Sequence, residues 1–181
     1  MPICVLCIAN IGINSYFWVY IGCTFSYFGL LFWLSVSTTR KRHICDNMLN
    51  YSKIHGFGIR SIDDSREGIE RFIRRNPTTS MVATVGDEIV GAILCGHDGR
   101  RGCLYHVCVR EDYRKHGIGK NMAVECMKAL KSEQINKVSI VAFKSNELGN
   151  HFWKEEGWTF REDLNYYDFT LNEENLTKFN S

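Results

Sequence analysis

No charged residue occurs between Met1 and Thr39; all 22 Lys+Arg and all 20 Asp+Glu side chains lie beyond that point. Proline is nearly missing as well, with Pro2 and Pro77 alone, and no stretch rich in Pro, Gly and Ser divides the chain. These absences exclude a low-complexity fibre and modules strung on flexible linkers. A net charge of only +2 is too little to argue for nucleic acid as a partner by bulk charge, and none is expected. No basic residue precedes the first apolar run and no small-residue cleavage site follows it, which argues against a secretory signal. Cys4 and Cys7 form one C-x-x-C, but neither a second pair nor a histidine partner follows at zinc-like spacing, so no metal is expected. Of the other six cysteines, Cys95, Cys103, Cys108 and Cys126 lie in apolar runs and read as small core residues.

What is present divides in two. Of the first 39 positions 26 are apolar, and the run Tyr16–Val36 is long enough to cross a bilayer as a helix. Arg40, Lys41 and Arg42 follow it, the cationic flank that stays on the cytoplasmic side. Two readings stand: residues 1–47 are a membrane anchor, or they lie upstream of a true start at Met48. Residues 48–181 carry both charge signs and 3.6- and 2-residue periodicities, the marks of a folded domain.

Periodicity predicts strands at Phe57–Ser61, Met81–Val85, Glu88–Cys95, Cys103–Val109, Val138–Phe143 and Tyr166–Thr170. Gly86-Asp87 reads as the turn of a hairpin, and Cys103–Val109 and Val138–Phe143 read as buried strands. Helices are predicted at Ser65–Arg75, capped by Ser65 with Glu67 in the first turn, at Gly117–Glu133, with the stripe Met122, Cys126, Met127 and Leu130, and at Glu147–Glu155, ended by Gly157. Helices between strands, with an early hairpin, give an α/β fold: a mixed central β-sheet flanked by helices.

The chemistry concentrates between Val107 and Lys120, where a strand runs through a polar turn and a glycine loop into a helix. Several N–H groups at such a junction lack intrahelical partners and, with the positive end of the helix dipole, form a site for a phosphate or pyrophosphate. Gly117 and Gly119 remove Cβ atoms that would hold an anion off the backbone, and Arg114, Lys115, His116 and Lys120 add positive charge. The spacing is neither that of a Walker loop nor of a dinucleotide-binding G-x-G-x-x-G, since position 122 is Met.

Arg114-Lys115-His116-Gly117-Ile118-Gly119 resembles the R/Q-x-x-G-x-G/A motif of the GNAT acetyltransferase superfamily. The segment Asn146 to Trp158 is similar to that family's N-x-x-A-x-x-F-Y-x-x-x-G-F, and the likeness covers about residues 57–171. The resemblance implies a GNAT fold and an N-acetyltransferase that moves an acetyl group from acetyl-CoA to a primary amine by direct attack. It implies that backbone groups of Val107 and Val109 meet the pantetheine arm. The pyrophosphate would lie on the amides of Arg114, Lys115, His116, Gly117, Ile118, Gly119 and Lys120, with Asn146 beside the cofactor. Asn146 also reads as a helix N-cap, and the two roles are compatible.

The family's usual acid is a tyrosine where this chain has Trp153, whose indole N–H cannot supply a proton near neutrality; Gly149 replaces the common alanine. Two candidates for proton transfer remain. Alternation places Tyr105 on one face with Cys103, Val107 and Val109, and aims His106 at the other unless a bulge intervenes. Tyr105 reads equally as core, and His106 as a packed, hydrogen-bonded residue. With no carboxylate within Cys103–Val109, a water relay could take the amine proton. The alternative function is a module that holds acetyl-CoA with weak or no transfer; a third reading is a membrane-tethered interaction domain. The acceptor, a small-molecule or protein amine, would meet Ile59–Phe72, Arg161, Glu162, Asp163 and Tyr166–Tyr167. The catalytic domain is expected in the cytoplasm.

Overall fold

The computed structural model describes residues 4–7, 59–60, 62–86 and 88–178. The apolar run Tyr16–Val36 lies outside them. Elements follow the order β1 (Cys4–Cys7), β2 (Ile59–Arg60), α1 (Arg66–Arg75), β3 (Met81–Val85), β4 (Glu88–His97), β5 (Gly102–Val109), α2 (Ile118–Ser132), β6 (Val138–Ile140), α3 (Glu147–Glu155) and β7 (Thr177–Lys178). Five strands form one mixed sheet in the order β1-β3-β4-β5-β6; its first three junctions are antiparallel and β5–β6 is parallel. A separate antiparallel pair joins β2 to β7.

Each face of the sheet is covered by a helix that the sequence predicted. Ser65 caps α1, its Oγ accepting the Gly68 N–H at 3.1 Å. Ile69 and Ile73, four residues apart, then bury against Val82, Ile89, Ala92 and Leu94. On the other face Met122, Cys126 and Leu130 of α2 pack on Met81, Val90, Ile93, Cys95 and Leu104, with Met127 at the margin. Each such side chain removed from water stabilises the fold by about 1.5–3 kcal/mol. β4 runs between the two layers and is buried along nearly its whole length. The hairpin closes as expected, with Val85 opposite Glu88 and Gly86 at φ +60°.

Three expectations change. Val138–Phe143 pairs only over Val138–Ile140; Val141 and Phe143 are exposed because the chain leaves β5 there. The strand Cys103–Val109 gains Gly102, yet only Gly102 and Leu104 are buried, since β6 no longer covers the rest. Tyr166–Thr170 is not a strand. A strand persists only where a neighbour completes its hydrogen-bond ladder, and the paired segment near this end is Thr177–Lys178 instead. Among the described residues no helix is long and apolar enough to cross a membrane.

Candidate active site

The parting of β5 from β6 makes the site. Their pairing ends at Leu104 opposite Ile140, whereas β5 remains paired with β4 through Val109. The Arg110 N–H donates to Val90 O on β4 at 2.8 Å. By alternation the peptide groups of Val109 and Val107 point the other way, into the gap that β6 has left. Their side chains join the core beneath α2.

The chain next makes a tight turn over Glu111–Tyr113, in which Arg114 N–H donates to Glu111 O at 3.1 Å. Two left-handed residues follow, Lys115 at φ +62° and Gly117 at φ +73°. The first bond of α2 runs from Asn121 N–H to Gly117 O, 2.9 Å. The N–H groups of residues 115–120 therefore have no partner among the described residues, and they converge where the helix dipole is positive. The two glycines differ in their surroundings. A Cβ on Gly117 would approach nothing nearer than Asn121 Nδ2 at 4.0 Å, so its bare side is open. A Cβ on Gly119 would lie 3.5 Å from Phe152 and 3.6 Å from Val109. Both distances are ordinary van der Waals contact, so the start of α2 lies close on Phe152 and Val109 at this point.

The cations around the loop are unequally engaged. Arg114 turns back, its Nε donating to Val109 O at 3.2 Å, and Lys120 pairs with Glu156 at 3.1 Å. Lys115 and His116 are exposed and without a side-chain partner among the described residues. Ile118 is buried and anchors the first turn of α2. Across the gap Asn146 caps α3, its Oδ1 accepting the Gly149 N–H at 2.9 Å, while its Nδ2 has no partner among the described residues. Trp153 does not face the gap. Only 8% exposed, it is held edge-on between Phe152 and Trp158 with ring centroids 4.8 Å apart on each side.

Simple alternation fails along β5. Ala92 pairs with Cys108 but Leu94 with Tyr105, so β5 carries one extra residue, and His106 sits there at φ +47°. Such a bulge resets which face each side chain takes. Tyr105 therefore stands on the α1 side, edge-on to Phe72 at 5.6 Å, with Cys108 in that layer and Val107 and Val109 in the opposite one. The expectation that Tyr105 shares their face is overturned by that extra residue. Desolvation, then a hydrogen bond to Cys103, raises the Tyr105 phenol above its ordinary value, making it a poor proton donor. Burial likewise pushes the Cys108 thiol up to about 11, so it is no thiolate nucleophile near neutrality. His106 has a partner that the sequence did not reveal: its Nε2 lies 2.6 Å from Asp64 Oδ1, in the turn before α1. No local pattern links positions 42 residues apart. Among the described residues no cluster suited to a metal occurs.

The family model described as Acetyltransferase (GNAT) family matches residues 46–158. An acetyltransferase of Sodalis glossinidius is 33% identical over 89 residues, 49% of this chain and 63% of that protein. The match thus spans just under two thirds of the length of such relatives. Among solved structures, a GNAT family acetyltransferase from Streptococcus pneumoniae shares the fold, with TM-score 0.56 and 19% identity over 71% of this chain and 91% of the other. A Clostridium acetobutylicum protein described as a predicted acetyltransferase with acetyl-CoA gives 0.55 and 16% identity over 73% and 92%.

Proposed function

This chain belongs to the GNAT acetyltransferase family, and from that premise we propose that it transfers an acetyl group from acetyl-CoA to a primary amine. The observation that carries the proposal is the run of unpartnered N–H groups over residues 115–120, opening beside the gap between β5 and β6. Those amides, with Lys115 and His116 nearby, suit a diphosphate: backbone donors and positive charge converge and Gly117 leaves the approach bare. In this reading Arg114 and Lys120 hold the loop and the helix start in shape through Val109 O and Glu156. The outward peptide groups of Val107 and Val109 suit the amide-bearing pantetheine arm, and the Nδ2 of Asn146 supplies a donor from the opposite wall.

The chemistry follows from these positions. The lone pair of a neutral amine attacks the thioester carbonyl carbon as the C–S bond breaks, and sulfur leaves with the electron pair. Negative charge gathers on the carbonyl oxygen, and the Val109 N–H is the donor in reach of the gap. The departing thiolate has an ordinary pKa of about 8.5, so it benefits from an acid without requiring one. The buried Trp153 and the proton-retentive Tyr105 are both unsuited to that role, and solvent returns the proton. We assign the activity to residues 48–181; the family match covers residues 46–158.

A second reading is favoured by the same Trp153: a module that binds acetyl-CoA and transfers poorly. Calorimetry with CoA tests the site common to both. Release of free thiol from acetyl-CoA with polyamine, aminoglycoside and peptide N-terminal amines separates them, because a pure binding module would hold CoA tightly and release no thiol.

A further inference from the structure

Building on the acetyl-transfer reading, we propose that His106 accepts the proton of the attacking amine and that Asp64 is the positioning carboxylate that fits it for the task. A carboxylate only accepts hydrogen bonds, so the 2.6 Å contact fixes the ring proton on Nε2, donated to Asp64 Oδ1. Nδ1 has no partner among the described residues and, in the neutral ring, is the nitrogen that offers a lone pair. Which nitrogen of an imidazole can take a proton is decided by the bond the other one makes.

The backbone is bent to achieve this. In an unbroken strand His106 would take its turn in the alternation of β5; the extra residue and its φ of +47° turn it aside to the segment before α1. Left-handed non-glycine residues cost free energy and gather at functional sites. His106 directly precedes Val107, the first of the two residues whose peptide groups border the gap.

The carboxylate's segment is itself held. A Cβ on Gly68 would collide with the carbonyls of Asp63 and Ile62, so this glycine lets the turn lie against α1. Asn175 binds the same turn from the C-terminal side, accepting the Ile62 N–H at 3.1 Å and donating to Asp63 Oδ2 at 2.7 Å. The titratable group in contact with His106 is Asp64; Asp63 adjoins Asp64 in the chain, and Tyr105 and Cys108 lie within two residues of His106 on β5.

The transfer then balances without another reagent. As the C–N bond forms and the C–S bond breaks, the amine proton moves to His106 Nδ1. It passes through solvent to the CoA thiolate, giving amide and free thiol with the imidazole neutral again.

The test compares the full chain with Asp64→Asn, Asp64→Glu and His106→Gln. The readouts are CoA affinity by calorimetry, thermal unfolding, and the pH dependence of thiol release from acetyl-CoA. Spermidine, kanamycin and an alanyl peptide serve as nucleophiles, and so does water alone, which also needs a base. His106→Gln should lower release about 100-fold and flatten its decline toward acid pH, at unchanged CoA affinity. Asp64→Asn should lower kcat about tenfold with KM for acetyl-CoA unmoved, and Asp64→Glu should recover most of it. Nitrogen NMR should show the His106 proton on Nε2 in the native protein and divided between the nitrogens in Asp64→Asn. Native rates and pH profile in a folded, CoA-binding His106→Gln would overturn the proposal, as would a proton resting on Nδ1. A native protein that fails to bind CoA would instead overturn the acetyl-transfer reading, a separate result.

Discussion

At the scale of the residue, single atoms decide what is accessible. Gly117 holds a left-handed conformation with open space where a side chain would be. Gly117→Val meets a backbone penalty of about 1–2 kcal/mol and places two methyls over the amides; CoA affinity by calorimetry should fall at least about tenfold. Tyr105→Phe should leave thiol release within about twofold of native, because a phenol raised by desolvation is not the proton source. Cys108, with its thiol at about 11, should resist iodoacetamide at pH 8, where roughly one molecule in a thousand carries the thiolate. The same shift sets a stability window. The unfolded chain gives up this proton near pH 9 while the folded chain keeps it to about 11. Stability is intact below pH 9 and lost as pH rises through that interval, a trend that urea midpoints at pH 8 and 10.5 should show and Cys108→Ala should remove. Asn146 was legible as a cap in the sequence, because capping joins residues only three positions apart. The face of Tyr105 was not: one extra residue at His106 inverts every parity argument after it, and no side chain announces a bulge.

At the scale of the element, the helices read correctly because stripe, cap and stop signal agree. Ser65, Ile69 and Ile73 define α1, and Asn146 with Gly157 bounds α3. Asn146→Ala should cost about 1 kcal/mol through loss of that cap, measured by chemical unfolding. Gly68→Ala should also destabilise, by about 1–3 kcal/mol, although alanine is the better helix former. Its Cβ would push away the Ile62–Asp63 backbone, so thiol release should fall further than CoA affinity. Strands were read less well, since a strand is made by its neighbour. Val138–Phe143 has apolar character throughout, yet only the part beside Gly102–Leu104 pairs. The remainder turns away, and that departure opens the gap on which the cofactor reading depends.

For the whole molecule, distant segments cooperate around the turn before α1. Asn175 and the β2–β7 pair join the end of the chain to residues 59–63, a link that local periodicity cannot reveal. Removing residues 173–181 should weaken thiol release while leaving CoA affinity near native, since the loop at residues 115–120 makes no use of them. The segment before it leaves Tyr167 at 85% and Leu171 at 94% exposure, close to where the sequence placed the acceptor.

The sheet also reaches back to the opening of the chain: Cys4–Cys7 lies antiparallel along β3. Without that strand the outer ladder of β3 would lie open to its surroundings, and naked ladders recruit one another. Cover by β1 thus keeps copies of the chain from clumping as their concentration rises.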